Sequence, residues 1–307
     1  MTPERSTSSD NGLAKPLAST PMRQAYLKRL GKKPSAKRCF MWLALLVLFV
    51  FVAPYFAPQD PYDLYSLNLL DGLLPPLSHG PDGMVYWLGT DDQGRDMLSA
   101  ILYGLRISVS VGLISVFLSA VIGSFAGLLA AYSGRWIDSL IMRLVDFILG
   151  FPTILVALVM LSIMGRGIDK VIIALVIVQW AHYARLMRGR ALQERRKEYI
   201  EAAQNLGFSY WRILFVHLFP NSVGPIMVFG TVQIASAIML EATLSFFGVG
   251  TPVTEPSLGL LIANGFQFLL SGDYWISMFP GIALLLLIVT INVLGDRLRL
   301  SMDSRSV

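Results

Sequence analysis

The stretch ISVSVGLISVFLSAVIGSFAGLLAAY, residues 107–132, runs from end to end without a charged side chain. An α-helix rising about 1.5 Å per residue needs about 20 apolar residues to cross a hydrocarbon core about 30 Å thick, so this run is long enough to span a membrane. Working outward, five more runs approach that length, at residues 40–56, 140–164, 171–187, 222–247 and 275–294. Lipid offers no partner for an unpaired backbone group, so each is expected to be helical. Composition agrees: the 307 residues are 54% hydrophobic and 15% charged, where a soluble domain carries about 25% charged residues. The expected fold class is an all-α integral membrane protein with six transmembrane helices.

Several function classes fall away. Cys39 is the single cysteine, and His79, His182 and His217 are scattered. Neither a disulfide, a zinc site nor a redox motif is supported, so no metal and no catalytic residue is assigned. A membrane-embedded enzyme using His182 as a base finds no Ser or Cys at a motif spacing. The first apolar run follows a long tail, and Pro58 sits just beyond its small-residue exit at Ala53 and Ala57, which disfavours cleavage as a signal. It is expected to remain as the first helix.

Lys and Arg in the flanking segments set the orientation. Residues 1–38 carry Arg5, Lys15, Arg23, Lys28, Arg29, Lys32, Lys33, Lys37 and Arg38 against Glu4 and Asp10, a basic tail expected in the cytoplasm. The first helix is placed at 39–57. Residues 58–104 reverse the pattern, with Asp60, Asp63, Asp71, Asp82, Asp91, Asp92 and Asp96 against Arg95, and are expected outside. A five-helix core then fills 105–299, and a cytoplasmic tail 300–307. Both termini come out cytoplasmic. The loop GRGIDK, with Arg166 and Lys170, is the exception to the charge pattern. The net charge of +5 thus belongs to membrane orientation; no basic stripe interleaved with aromatics points to nucleic acid.

Within the runs, Ser115, Ser119, Gly123, Gly127 and Ala131 recur every four residues, a small-residue face on which another helix can lie closely, with a pore lining as the alternative. Pro152 falls inside the third run and should bend it, as packing or as a gate. Asp146 and Glu241 are acids inside apolar runs, where each needs a partner. Arg143, one turn earlier, is the expected partner of Asp146. Glu241, with Ala237 and Ser245 on its face, is either a hydrogen-bonded packing residue or part of the solute path.

The segment EYIEAAQNLGFSYWRILFVHLFPN, residues 198–221, breaks the apolar pattern. On a helix, Glu194, Glu198, Glu201 and Asn205 share one face, and Tyr199, Ala202, Ala203 and Leu206 another. Gly207 should end that helix. Ser209 should cap a second one that runs through Arg212 to Pro220, giving a helix, a turn and a helix beneath the membrane. A small face beside acids suits docking into another protein's groove; a plain connector is the alternative.

EAAQNLG followed by ILFVHLFPN resembles the EAA loop of permease subunits in bacterial binding-protein-dependent ABC importers, here residues 188–221. WLGTDDQGRDMLSAILYGLRISVSVG from Trp87, RWIDSLIMRLVDFILGFP from Arg135, EATLSFFGVG from Glu241 and PGIALLLLIVTINVLGDRLR from Pro280 resemble the peptide/nickel branch, specifically the second permease of dipeptide and oligopeptide importers. PVTEPSLG at Pro252 and Phe219 depart from the usual pattern.

The resemblance implies a type I importer permease in the bacterial cytoplasmic membrane, moving di- or oligopeptides. Its implied partners are a homologous permease as heterodimer, two cytoplasmic ATPases and an external solute-binding protein, with lipid around it. No GxxxxGK[ST] occurs, so ATP is expected to be used by the partner, and this chain to hold no cofactor. Glu198, Glu201, Ala202, Ala203, Gly207, Arg212 and Pro220 are implied to couple to the ATPase, and Pro152, Glu241 and Ser245 to touch the path or gate. The acidic segment 58–104 is a candidate seat for the binding protein. Nickel, glutathione, opines and oligosaccharides are carried by similar systems, and a proton-coupled carrier using Asp146 and Glu241 is the rival mechanism.

Overall fold

The computed structural model describes residues 34–63, 67–80, 83–252, 254–255 and 257–302. The expected tails, apart from residues 34–38 and 300–302, lie outside the described residues. So do Asp82 and two positions of the PVTEPSLG stretch, 253 and 256.

Helix α1 (Pro34–Val52) ends in a tight turn, and a segment of mostly irregular backbone leads to α2 (Met97–Tyr132). Then come α3 (Arg135–Leu149), α4 (Thr153–Met164) and α5 (Ile168–Arg195). A short α6 (Glu198–Asn205) precedes α7 (Tyr210–Phe246), and α8 (Leu258–Phe266) and α9 (Trp275–Met302) complete the bundle. Helices α2, α5, α7 and α9 are each long and apolar enough to cross a membrane, and α3 with α4, bent by 90°, form a further broken span or re-entrant loop. The apolar helix at the start of the chain, Met41–Phe56, is shorter than these.

Helix α2 begins earlier than the apolar run suggested because protein, rather than lipid, satisfies its first turns. Asp96 accepts from the Ser99 backbone N–H at 2.8 Å as N-cap, and Met97, Ala100 and Ile101 are buried. The segment before it is a polar knot with a two-stranded hairpin, β1 (Ser78–His79) and β2 (Val85–Tyr86). The Tyr86 hydroxyl donates to Asp71 at 3.1 Å, Arg95 pairs with Asp91 at 2.8 Å, and the Trp275 indole N–H donates to the Thr90 carbonyl at 3.1 Å. Asp71, Asp91 and Asp96 are therefore buried acceptors that build the knot, so part of the acidic excess is structural.

The small-residue face of α2 lies along α5. Ser115, Ser119, Gly123, Gly127 and Ala131 are all buried. A Cβ on Gly123 would run into the Trp180 carbonyl and the Tyr183 side chain; one on Gly127 would meet the Ala184 carbonyl and Met187. Close approach of this kind holds membrane helices together where lipid cancels the hydrophobic drive.

Glu241 is fully buried in α7. It accepts from the Ser108 hydroxyl of α2 and from the Ser245 hydroxyl one turn on, both at 2.8 Å. Ser245 also receives the Thr251 backbone N–H at 3.3 Å, and Thr251 reaches Ser257, which caps α8. One carboxylate thus joins α2, α7 and the entry to α8, a helix not anticipated from the sequence.

Two measurements check this packing. Gly127→Leu should destabilise the purified protein by about 1–3 kcal/mol or more through overpacking, seen as a lower melting temperature in detergent; an unchanged melt contradicts the close approach. Glu241→Ala should strand two buried hydroxyls at about 1–3 kcal/mol each, whereas Glu241→Gln, whose amide can both accept and donate, keeps most of the stability.

Candidate functional site

One end of the bundle gathers the C-termini of α2 and α5, all of α6 and the start of α7. Arg195 donates to the Ala131 carbonyl at 2.9 Å and lies 5.3 Å above the Tyr132 ring. Gln204 of α6 donates to the Tyr132 hydroxyl at 3.3 Å, and Ser133 bonds the Tyr210 hydroxyl.

Helix α6 starts with two acids in its first turn, Glu198 and Glu201, where the partial positive charge of a helix N-terminus favours them. Ile200 and Ala203 are buried in a cluster with Met187, Ala191, Ile213, Leu214 and Leu218. Glu198, Glu201, Ala202, Asn205 and Leu206 are exposed. The expected faces are therefore redistributed: Ala203 and Tyr199 point inward, while Ala202 and Leu206 join the acids outside. Gly207 closes the helix with φ +72, and the Phe208 N–H bonds the Ala203 carbonyl at 3.1 Å.

Tyr199 fastens this helix to both neighbours. Its hydroxyl donates to Glu194 of α5 at 2.9 Å and accepts from the Asn221 amide of α7 at 3.2 Å. Burial, and next the hydrogen bond to Glu194, push the Tyr199 phenol above its ordinary pKa, so it stays a donor. The sequence puts Tyr199 on a helix face with the alanine pair but does not link it to Asn221, which stands much further along the chain beside Pro220; that link carries no signal without the fold.

Two expectations about the second helix are corrected. Ser209 stands at the N-cap position in extended backbone but makes no side-chain capping bond. The helix also does not stop at Pro220. It widens into a π turn over Ile213–Leu218 and continues unbroken to Phe246, past Pro220 and Pro225. The Phe219 N–H reaches back to the Leu214 carbonyl, so Pro220, which has no N–H, falls where the bonding register changes. The Asn221 amide adds a donor to the His217 carbonyl at 2.7 Å. Arg212 is exposed, its guanidinium 4.2 Å above the Phe208 ring.

Pro152 sits at the 90° bend between α3 and α4. Beside it opens a cavity of about 500 Å³ lined by Leu149, Thr153, His182, Arg185, Leu186 and Phe229. Glu241 and Ser245 are not among its walls. Asp146 does not pair with Arg143, which is exposed; it bonds Arg185 on α5. The wider span between helices wins because α3 lies across α5: Asp138 also pairs with Arg188, at 2.6 Å for Nη2 to Oδ2. Among the described residues no group of three or more His, Cys, Asp or Glu could hold a metal ion.

Residues 119–306 match the family described as binding-protein-dependent transport system inner membrane component, and residues 20–76 the N-terminal TM domain of oligopeptide transport permease C. The chain is similar to the dipeptide transport system permease protein DppC of Alkalihalophilus pseudofirmus, 35% identical over 288 residues that span 94% of this chain and 91% of that protein. It is equally similar to the glutathione transport system permease protein GsiD of Pectobacterium atrosepticum, 35% identical over 93% of this chain and 92% of the relative. Among solved structures, the inward-facing MetNI methionine ABC transporter matches with a TM-score of 0.55 at 19% identity, covering 67% of this chain and 97% of that one. An amino acid ABC transporter matches with a TM-score of 0.51 at 17% identity, over 64% and 91%. At such identities the likeness is one of fold, and it is the fold of an ABC transporter permease. With several apolar spans and a family match over more than half its length, the chain belongs to the inner membrane components of binding-protein-dependent transport systems.

Proposed function

We propose that this chain is one of two permease subunits of an ATP-driven importer of di- or oligopeptides. The observation that carries the reading is α6: its outer face offers Glu198, Glu201 and the small Ala202 to a partner, while its inner face is bolted through Tyr199 to α5 and α7. A cytoplasmic ATPase that holds this helix can pull on two long helices at once. Coupling of this kind needs a ligand that favours one of two states by differential contacts, and ATP-driven closure of two such ATPases supplies it. ATP is bound by the partner; the chain itself works without a cofactor.

The six-crossing arrangement, with α1 as the first crossing and the bent α3–α4 pair as the third, sets α6 and both termini on the cytoplasmic side, in keeping with the Lys and Arg distribution. The segment 58–104 then faces the external solute-binding protein. Peptide as cargo rests on the relatives named for dipeptide transport, from Alkalihalophilus pseudofirmus and Haemophilus influenzae among others. The glutathione relative is equally similar and is the nearest alternative, itself a peptide derivative.

In vesicles holding the whole complex, Glu201→Arg and Gly207→Val should cut ATP-driven dipeptide uptake while the subunits still co-purify; uptake at the wild-type rate sinks the coupling role. An uncoupler added at constant ATP should leave uptake unchanged, and a collapse would instead support proton coupling. Glutathione taken up in place of dipeptides would move the cargo without touching the coupling.

A further inference from the structure

Contacts from three points of the α6 segment converge on consecutive residues at the end of α2, and the link through Tyr199 uses none of them. Before the helix, Arg195 donates to the Ala131 carbonyl at 2.9 Å and lies 5.3 Å above the Tyr132 ring. In its last turn, the Gln204 amide donates to the Tyr132 hydroxyl at 3.3 Å. After it, Tyr210 sets its ring 4.7 Å from that of Tyr132 and bonds its hydroxyl to Ser133. Residues 131–133 thus hold the segment at its entry, at the end of the helix and at its exit.

Helix α6 needs such holding. Its eight residues, Glu198–Asn205, make a rod about 12 Å long. Helices shorter than about 12–15 residues are marginal in water on their own, so tertiary contacts set where this one lies. Tyr199 fastens its first turn to α5 and α7. A rod fastened at one end can still swing about that end. Buried Ile200 and Ala203 hold it to the bundle through apolar contact, which has no direction. The hydrogen bonds to Tyr132 and Ser133 are directional, and they act at the opposite end from Tyr199.

The body that receives the far end of α6 decides what moves with it. That body is α2, whose Gly123 and Gly127 lie against α5. A push on the outer face of α6, where Glu198, Glu201 and Ala202 are exposed, therefore reaches α2 directly at Tyr132, as well as α5 and α7 through Tyr199. With both ends fastened the helix has one orientation, and its outer face is offered at a fixed angle.

We infer that Tyr132, with Ser133, is a positioning residue for coupling: it fixes the far end of α6 on α2, so that the helix keeps one orientation toward the ATPase and passes the motion of the ATPase to α2. This rests on the reading of α6 as the docking helix. Tyr132 acts through Gln204, Arg195 and Tyr210 rather than by touching the ATPase.

The test uses the whole complex with its binding protein in lipid vesicles and reads two rates together, dialanine taken up and ATP hydrolysed. Tyr132→Ala should lower the dialanine moved per ATP by about tenfold, within the range a residue along a coupling route can change, while the subunits co-purify and ATP is still hydrolysed. Loss of folded complex alone lowers both rates and leaves their ratio unchanged; that result overturns the inference. Tyr132→Phe keeps the ring against Arg195 and Tyr210 and should recover most of the ratio. Gln204→Leu should match it, and the two together should be no worse than either, whereas additive losses overturn the joint. A further measurement leaves Tyr132 in place: in a Cys39→Ser background, spin labels at Leu206→Cys and Ile122→Cys, both exposed positions, should keep their separation when ATP and vanadate trap the complex. A changed separation means that α6 leaves α2 and overturns the inference. Glu201→Arg separates this role from the reading beneath it. If Glu201→Arg cuts uptake and Tyr132→Ala leaves the ratio intact, the positioning role alone falls; if Glu201→Arg transports at the wild-type rate, the docking reading falls with it.

Discussion

The contact of α2 with α5 at Gly123 and Gly127 is the constraint on which the other elements depend. Lipid tails are as apolar as leucine, so membrane helices gain little by hiding apolar surface from them. Association has to come from close packing and polar links, and α5 is where these converge. Its Arg185 and Arg188 hold α3 through Asp146 and Asp138. Its Tyr183 packs edge-on against Phe229 of α7, with ring centroids 5.2 Å apart, and its Glu194 receives Tyr199 of α6. A side chain at Gly123 or Gly127 would push α5 away and displace all of these at once.

Much of this was legible in the sequence, because a membrane imposes simple rules. Length and apolarity gave the long helices, the four-residue spacing of small residues gave the α2 face, and Gly207 marked the end of α6. The failures share a cause: each required knowing what lies across space. Arg143 is the nearest cation to Asp146 along the chain, but α3 crosses α5, and Arg185 is the one that faces it. Pro220 looked like a stop because proline removes a backbone donor, yet a π turn immediately before it moves the bonding register past the gap. Helix α8 is too short to register as a span, and its cap, Ser257, is recognisable as such from the bond to the Leu260 N–H.

The two alanines of α6 illustrate how one residue type meets two different surroundings. Ala203 is buried, and its small size lets α6 lie against the Ile213, Leu214 and Leu218 turn. Ala202 is exposed, so its size matters only to whatever approaches from outside. A sequence pattern cannot distinguish them, since adjacent helical positions are separated by about 100°. The fold does: it turns Ala203 into the bundle and leaves Ala202 on the outside of α6.

Helix α7 connects the features of the molecule that sit at different depths. Its first turn meets the end of α2 through Tyr210, Asn221 takes up the link from Tyr199, Phe229 lines the cavity beside the α3–α4 bend, and Glu241 ties its far part to α2 and, through Ser245 and Thr251, to the α8 cap. A displacement of α6 is therefore not absorbed in a loop, because no loop intervenes between Tyr210 and Phe246. The compliant places are the π turn and the two prolines, all in the first half of the helix, where backbone bonds are shifted or missing. The buried carboxylate fixes the second half. Helix α7 is thus compliant near α6 and fixed at Glu241, with Phe229, packed against Tyr183 of α5, between those two points.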